Sequence, residues 1–368
     1  MTPPRSLAHE IKAHIVDSGP IGIERYMALV LGHPSLGYYT TRDPFGAAGD
    51  FITAPEISQM FGELVGLWAA SVWAAMGSPA SVRLVELGPG RGTLMADALR
   101  AASVVPQFRQ ALHVELVDTS PRLREAQAKT LASTDIRIAW HGDLDEVEPG
   151  PMLLIANEFF DALPIRQYVR TQRGWCERLV GIADGELTLG TAADPELSIT
   201  VEAPDGSVLE VSLAGRRIAS AIGARVRRDG GAALIIDYGY AGPRLGDSLQ
   251  AVKAHRYVDP LADPGDADVT AHVDFTALAK AARAAGADVH GPVMQSAFLD
   301  ALGIRARAET LRRRASPVQT EAIDRALERL TLLGTPGEPG MGRLFKALAI
   351  IAPGLPVPPG FVSGPETA

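Results

Sequence analysis

From residue 82 onward, short apolar segments alternate with helical segments, and a glycine-rich turn stands at the first junction between them. The sequence predicts strands at 82–87, 113–118, 136–140, 152–156, 232–237, 287–290 and 344–351. Helices are predicted between strands, among them 92–102, 213–228 and 275–285. Because strands that alternate with helices form a sheet covered on both faces, we predict an α/β fold with one open, mostly parallel sheet.

The rest of the chain is predicted to form an N-terminal region and two insertions. Apolar residues recur at helical spacing in 6–16, 24–31 and 56–76, which indicates an N-terminal helical region. Residues 165–212 alternate apolar and polar residues between turn signals, so we expect an antiparallel β insertion there. Residues 239–273 are rich in Gly, Asp and Pro, which predicts a loop insertion. The expected boundaries are 1–80 for the helical region with a lid loop, 81–352 for the core with both insertions, and 353–368 for a loose tail.

Composition narrows the classes of function. The chain has 35 Lys and Arg residues against 43 Asp and Glu residues, and this acidic balance disfavours a nucleic-acid binder. The single cysteine, Cys176, excludes an intramolecular disulfide and a cysteine-based zinc site, and we expect no metal. No apolar run reaches the roughly 18 residues of a membrane span, and no secretory signal is visible. We therefore expect a cytoplasmic protein without a membrane span.

The glycine turn carries the strongest chemical signal, Val85-Glu86-Leu87-Gly88-Pro89-Gly90-Arg91-Gly92-Thr93. A dinucleotide-binding turn has glycines at its first, third and sixth positions, but the sixth position here is Thr93 and the third glycine is Gly92. This disfavours a nucleotide oxidoreductase. The G-x-G-x-G spacing, with Glu86 two residues before Gly88, resembles motif I of the class I S-adenosylmethionine-dependent methyltransferases, which have a Rossmann-like sheet. The resemblance implies that Glu86, Gly88, Gly90 and Gly92 surround the methionine portion and ribose of that cofactor.

Polar residues follow the next three strands in the order that this superfamily uses. The resemblance implies that Asp118 accepts hydrogen bonds from the ribose hydroxyls, that Asp143 and Leu144 meet the adenine, and that Asn157 contacts the cofactor or acceptor. Because ligands of open α/β sheets lie beyond the carboxyl ends of the strands, these residues are expected in one crevice. The alternatives are that Asp118 caps the following helix and that Asp143 forms a turn.

Four longer segments resemble the signature blocks of a narrower group, the MidA family of methyltransferases. The segments are Gly49–Glu56, Val85–Gly92, Asn157–Pro164 and Asp268–Phe275. The resemblance extends from about Gly22 to Ile351. It implies a bacterial protein-arginine methyltransferase that symmetrically dimethylates an arginine in an NADH dehydrogenase (complex I) subunit or a related protein.

An arginine acceptor suggests roles for several acidic residues. Carboxylates bind a planar guanidinium well, so we expect Glu158, with Asp161 as its partner, to orient the acceptor nitrogen. The alternative for Asp161 is a structural role in the turn that ends at Pro164. In the predicted lid loop, Asp50 and Glu56 add negative charge suited to a cationic acceptor.

His272 and Asp274 form another polar group near the predicted site. His272 is a candidate proton acceptor that Asp274 would orient. The alternatives are a structural histidine and an Asp274 that caps the helix beginning at Phe275.

Two other functions remain open from the sequence. One is an assembly chaperone that binds the cofactor without turnover and binds a folding subunit through the inserted strands. The other is a small-molecule methyltransferase, which the large insertions disfavour modestly.

Overall fold

The computed structural model describes residues 6–41, 52–242 and 244–361. The first elements are α1 (Leu7–Ser18), β1 (Ile21–Gly22), α2 (Ile23–Gly32), α3 (Tyr38–Thr41), α4 (Ala54–Ile57), α5 (Gln59–Ala75), β2 (Val82–Leu87), α6 (Thr93–Ala102), α7 (Pro106–Ala111), β3 (Leu112–Val117), α8 (Pro121–Thr130), β4 (Ile138–His141) and β5 (Met152–Asn157). A short 3-10 helix, Leu144–Glu146, precedes β5.

The second half of the chain continues with strands and helices in a less regular order. Its elements are β6 (Arg166–Thr171), β7 (Gly174–Ala183), β8 (Glu186–Pro195), β9 (Val208–Val211), α9 (Leu213–Asp229), β10 (Gly231–Tyr240), β11 (Gln250–Lys253), β12 (Arg256–Val258), β13 (Asp268–Thr270), β14 (Val273–Asp274), α10 (Phe275–Ala284), β15 (Asp288–Met294), α11 (Gln295–Ala301), α12 (Ile304–Arg312), α13 (Pro317–Thr331), α14 (Met341–Leu344) and β16 (Phe345–Ile351).

The chain divides into two compact units. We call the unit formed by residues 52–160, 216–241 and 273–368 the core unit. We call the unit formed by residues 1–51, 161–215 and 242–272 the accessory unit. Both names apply only to the residues that the structure describes.

The core unit contains the large sheet, whose strands lie in the order β15-β16-β10-β5-β2-β3-β4. Strands β4, β3, β2, β5 and β10 are parallel to their neighbours in this path. Strand β16 is antiparallel to β10 and to β15, so it alone is reversed within the path. The predicted mostly parallel α/β sheet is therefore confirmed.

Both faces of this sheet are covered. Residues 152–156 of β5 are all apolar, and the consecutive residues Leu153 and Leu154 point to opposite faces but are both fully buried. On one face helix α5 packs closely against α6. A Cβ atom added at Gly66 would lie 2.6 Å from the Cα atom of Ala98, so only glycine permits this approach. The packed sheet fixes where its strands end, and those ends carry the candidate site.

The accessory unit contains two smaller sheets. In the first, β7 pairs antiparallel with β1, β6 and β8, and β6 also pairs with β9. The antiparallel strands predicted within 165–212 are thus observed as β6–β9. The apolar interior of the unit includes Ile11 and Met27 of the N-terminal helices together with Val180 of β7.

Three regions differ from the expected organisation. Residues 239–273, expected as a loop, contain the three-stranded sheet β12-β11-β13, whose strands of three or four residues are too short to show a period. Helices α1–α3 belong to the accessory unit, whereas α4 and α5, also expected in the N-terminal region, belong to the core unit. In the expected loose tail, Phe361 is buried and its ring lies 5.4 Å from that of Phe298, because this apolar side chain gains from burial.

No helix in the described ranges combines the length and apolar character that crossing a bilayer would require.

Candidate cofactor and active site

The glycine turn lies at the carboxyl end of β2, in the core unit. Gly88, Gly90 and Gly92 all have positive φ angles, of 60°, 53° and 83°. Gly92 precedes the first residue of α6, so the turn delivers the free N–H groups of a helix N-terminus to the end of the sheet. A Cβ atom added at Gly88 would lie 2.8 Å from Cδ2 of Phe159. Glycine at position 88 therefore permits both the left-handed backbone conformation and the close approach of this aromatic ring.

Glu86 is buried one residue before the end of β2. Burial, and next the charge of Asp118, raise the pKa of Glu86 from 4.5 to about 8. Among the residues that the structure describes, Oε2 of Glu86 has no hydrogen-bond partner. A buried carboxyl with an unused oxygen is suited to a ligand that brings a hydrogen-bond donor or a positive charge.

Asp118 follows β3, and its carboxylate is held from two sides. Oδ1 accepts a hydrogen bond from the backbone N–H of Ser120 at 2.8 Å, and Oδ2 accepts one from Nε2 of Gln127 at 2.8 Å. Burial raises the pKa of Asp118, although these hydrogen bonds and Arg124 oppose the shift. The structure shows Ser120, not Asp118, as the residue that caps α8, since the Ser120 hydroxyl accepts from the N–H of Leu123.

Gln127 is a site residue that the sequence analysis missed. Its side chain is fully buried on α8 and also donates from Nε2 to the carbonyl oxygen of Gly90 at 2.9 Å. The amide oxygen accepts a hydrogen bond from Nε1 of Trp140 at 3.0 Å. Glutamine on a helix carries no motif signal, so only the packed structure could reveal these contacts.

Asp143 and Leu144 follow β4. Asp143 is exposed and caps the short 3-10 helix, its Oδ1 accepting a hydrogen bond from the N–H of Asp145 at 3.0 Å. Leu144 is buried, and its carbonyl oxygen accepts from Arg225 at 3.1 Å. The turn-forming role considered for Asp143 is thus observed, and its predicted contact with adenine stays a prediction.

Asn157 is the last residue of β5, and Glu158 follows it. Asn157 is buried, and its Nδ2 donates to Oε1 of Glu158 at 3.1 Å, whereas its Oδ1 has no partner among the described residues. Glu158 has a φ of 51°, a left-handed conformation that costs free energy in a residue with a side chain. Its Oε1 also accepts from the backbone N–H of Ala54 at 2.9 Å. The Glu158 carboxylate is therefore fixed by two donors at the sheet end.

Asp237 explains how the strained turn at Glu158 is maintained. This fully buried residue of β10 accepts hydrogen bonds through Oδ2 from the N–H groups of Phe159, at 3.2 Å, and Phe160, at 2.9 Å. Its Oδ1 accepts from the N–H of Tyr238 at 2.9 Å. The sequence showed Asp237 only as the last residue of a predicted strand, so its role was missed.

Glu56 belongs to α4, beside the glycine turn. Its Oε1 accepts a hydrogen bond from the hydroxyl of Thr93 at 2.6 Å, at the N-terminus of α6. Asp50, the other acidic residue of the predicted lid, lies outside the described residues. The lid role of both residues stays a prediction.

Asp161 and His272 belong to the accessory unit, whereas the other described candidates belong to the core unit. The carbonyl oxygen of Asp161 accepts a hydrogen bond from the N–H of Ala271 at 3.0 Å, and the N–H of His272 donates to Oγ of Ser248 at 2.9 Å. Asp274, considered as the orienting partner of His272, caps α10 by accepting from the N–H of Ala277 at 2.9 Å. The capping alternative is the observed contact.

Comparisons with known proteins address what this site binds. A family profile for S-adenosyl-L-methionine-dependent methyltransferases matches residues 64–293, more than half of the chain. The chain belongs to this family. A fly relative, "Protein arginine methyltransferase NDUFAF7 homolog, mitochondrial" of Drosophila melanogaster, is 40% identical over 94% of this chain and 84% of its own length. The human protein arginine methyltransferase NDUFAF7 is 37% identical over 83% of this chain and 74% of its own length.

A solved structure supports the assignment to this family. A crystal structure of a Burkholderia thailandensis protein bound to S-adenosyl-homocysteine has a TM-score of 0.84 to this methyltransferase and 30% sequence identity. The alignment covers 97% of this chain and 95% of that protein. The class I methyltransferase fold and the dependence on S-adenosylmethionine, both predicted from the motifs, are confirmed. One expectation is wrong: the relatives are named as mitochondrial proteins, which contradicts the predicted cytoplasmic location.

The residues of this methyltransferase fit its cofactor. S-adenosylmethionine carries an amino group, two ribose hydroxyls and a positively charged sulfonium. Glu86 Oε2 and Asn157 Oδ1 are buried oxygens to which no described residue is hydrogen-bonded, and the carboxylate of Asp118 is close enough to Glu86 to raise its pKa. Carboxyl and amide oxygens at the ends of these strands match a ligand that is rich in donors and positive charge.

Proposed function

We propose that this methyltransferase transfers the methyl group of S-adenosylmethionine to an arginine side chain of a protein. The observation that carries the proposal is the position of Glu158. Its carboxylate stands at the carboxyl end of β5, held by Ala54 and Asn157 in a backbone conformation that the fold maintains at a cost. The names of relatives that are 37–40% identical support arginine as the acceptor.

The proposed cofactor residues are those at the ends of β2, β3, β4 and β5. Glu86 and the turn of Gly88, Gly90 and Gly92 would hold the methionine portion, and Asp118 the ribose. Asp143 and Leu144 would meet the adenine, and Asn157 would contact the cofactor or the acceptor. When bound, S-adenosylmethionine supplies an electrophilic methyl group.

The acceptor requires binding and orientation from the protein. A guanidinium is planar, positively charged and a weak nucleophile, so a carboxylate that accepts two of its N–H donors can fix which nitrogen faces the methyl group. We assign this contact to Glu158, with Asp161 as a second carboxylate. His272 is proposed to take up the proton that the guanidinium loses after transfer. Asp50 and Glu56 are proposed to add negative charge at the entrance for the acceptor.

The identity of the acceptor protein is proposed from the family resemblance. The MidA resemblance indicates symmetric dimethylation of an arginine in an NADH dehydrogenase subunit of complex I or in a related protein. The relatives named NDUFAF7 support a protein acceptor in general.

A labelling experiment tests the function. Lysate from a strain that lacks this protein is incubated with methyl-labelled S-adenosylmethionine and wild-type protein, Glu158→Gln or the control Glu125→Gln, whose carboxylate lies exposed on α8. We expect label on arginine in a single protein with wild type and the control, and at least a hundredfold less with Glu158→Gln. Cofactor binding without label would overturn the proposal in favour of a chaperone. Label confined to the low-mass fraction would instead indicate a small-molecule acceptor.

A further inference from the structure

Gln127 connects three separate elements of the core unit through one side-chain amide. Its Nε2 donates to the carbonyl oxygen of Gly90 in the turn after β2 and to Oδ2 of Asp118 after β3. Its Oε1 accepts from the indole N–H of Trp140 in β4. Both amide protons are thus used, and the side chain is fully buried.

The indole of Trp140 determines which way the amide of Gln127 points. A glutamine amide can rotate by half a turn and exchange its oxygen for its nitrogen. In the rotated state the amide nitrogen would face the Trp140 N–H, donor against donor, and the oxygen would face the carboxylate of Asp118, acceptor against acceptor. The observed orientation avoids both conflicts, so the donors are directed permanently at Gly90 and Asp118.

The backbone around Gln127 also supports the glycine turn. A Cβ atom added at Gly92 would lie 3.4 Å from the Cα atom of Gln127, so α8 packs directly against the turn. Asp118 also needs to be held in place, because its carboxylate can accept a hydrogen bond from a ligand hydroxyl at a fixed position only while the side chain keeps one rotamer. The N–H of Ser120 donates to one carboxylate oxygen and Gln127 donates to the other. These two hydrogen bonds set the orientation of the carboxylate, and with it the directions of the lone pairs that remain for a ligand.

We propose that Gln127 is a positioning residue that fixes the Asp118 carboxylate and the glycine turn so that the site selects a ligand with ribose hydroxyls. The inference rests on the proposed assignment of Asp118 to the ribose of the cofactor. Gln127 acts through Asp118 and Gly90, and it need not touch the ligand. Loss of the Gln127 amide should therefore reduce the discrimination between ribose and deoxyribose ligands more than the affinity for the rest of the ligand.

The test measures binding and requires no turnover. Isothermal titration calorimetry gives the Kd of the full-length protein for S-adenosylhomocysteine and for its 2′-deoxy analogue. For wild type we expect the deoxy analogue to bind at least tenfold more weakly. In Gln127→Met, which keeps the length and apolar stem but removes the amide, the ratio of the two Kd values should fall to about two or less.

Two further variants separate positioning from general damage. Trp140→Phe leaves Gln127 in place but releases its amide to rotate, and it should give an intermediate ratio. Asp118→Asn should itself bring the ratio near one, and adding Gln127→Met to it should change the ratio no further, because both act on one contact. Glu125→Gln, on the exposed face of α8, should leave the ratio at the wild-type value.

The possible results distinguish this inference from the proposed function. An unchanged ratio in Gln127→Met and Trp140→Phe, or a wild-type ratio near one, would overturn the role of Gln127. A wild type that shows the expected ratio but labels no arginine would support Gln127 and overturn the proposed arginine methylation. Thermal melts of each variant show whether it is folded, and if Gln127→Met does not fold, the result for Trp140→Phe decides.

Discussion

The hydroxyl of Thr93 donates a hydrogen bond to the carboxylate of Glu56 across 2.6 Å. Thr93 is the residue that replaces the third glycine of a dinucleotide-binding turn, and it is also the first residue of α6. The threonine thus joins the glycine turn to the segment that precedes α5. The positive end of the α6 dipole further favours a carboxylate at this point.

Loss of the Thr93 hydroxyl should weaken this connection. We expect Thr93→Val to lower the free energy of unfolding by about 1–2 kcal/mol, because Glu56 loses a hydrogen bond to a charged acceptor at a half-buried site. Thr93→Ser keeps the hydroxyl and should cost less than half as much. Urea denaturation followed by circular dichroism measures both values. Equal stabilities of the two variants would show that the hydrogen bond contributes nothing.

Stability should depend on pH through Glu86. Its pKa of about 8 in the folded protein lies above its ordinary 4.5, so between these values the folded state holds a proton that the unfolded chain has released. The free energy of unfolding should therefore fall as pH rises from about 5 to 8, by an amount on the order of a few kcal/mol.

Replacement of Glu86 by Gln should remove this dependence. Glu86→Gln stays neutral at every pH, so its stability should decline less from pH 5 to pH 8 and should exceed that of wild type at pH 8. Thermal melts at half-unit steps of pH provide the comparison. Parallel curves for the two proteins would mean that burial does not raise the pKa of Glu86.

Asp237 should be needed for the conformation of Glu158. In Asp237→Asn one carboxylate oxygen becomes an amide nitrogen, so in either orientation of the amide a donor faces the N–H of Tyr238 or those of Phe159 and Phe160. We expect a loss of about 2–4 kcal/mol in stability and at least tenfold less arginine labelling. The control Asp135→Asn changes a side chain that is 80% exposed and should affect neither quantity measurably. Labelling by Asp237→Asn at the wild-type rate would refute the role of Asp237.

Gly88 should tolerate no side chain. Gly88→Ala places a Cβ in a left-handed backbone and 2.8 Å from the ring of Phe159, so we expect at least 2 kcal/mol of destabilisation. In a Phe159→Ala background the contact with the ring is absent, so Gly88→Ala should lower the free energy of unfolding by only about 1 kcal/mol, the part due to the backbone. Denaturation of the four proteins of this cycle measures the coupling. Additive effects would show that the ring and the turn are independent.

The sequence predicted the sheet elements closely and the roles of the polar residues less well. Strand β2 was predicted at its observed limits, and β5 is only one residue longer than predicted. Both are short, mainly apolar segments bounded by turn signals, and such patterns are local. The three strands within 239–273 were missed because segments of three or four residues have no measurable period.

The sequence by itself determined the α/β alternation, the glycine turn and the family, because periodicity and the need for glycine at positive φ depend on neighbouring residues alone. Only the tertiary structure decided that β16 lies between β10 and β15, that Gln127 and Asp237 support the site, and that Asp161 and His272 belong to the accessory unit. These features join residues far apart in the chain. A single glutamine or aspartate acquires such a role only through the partners that packing brings to it.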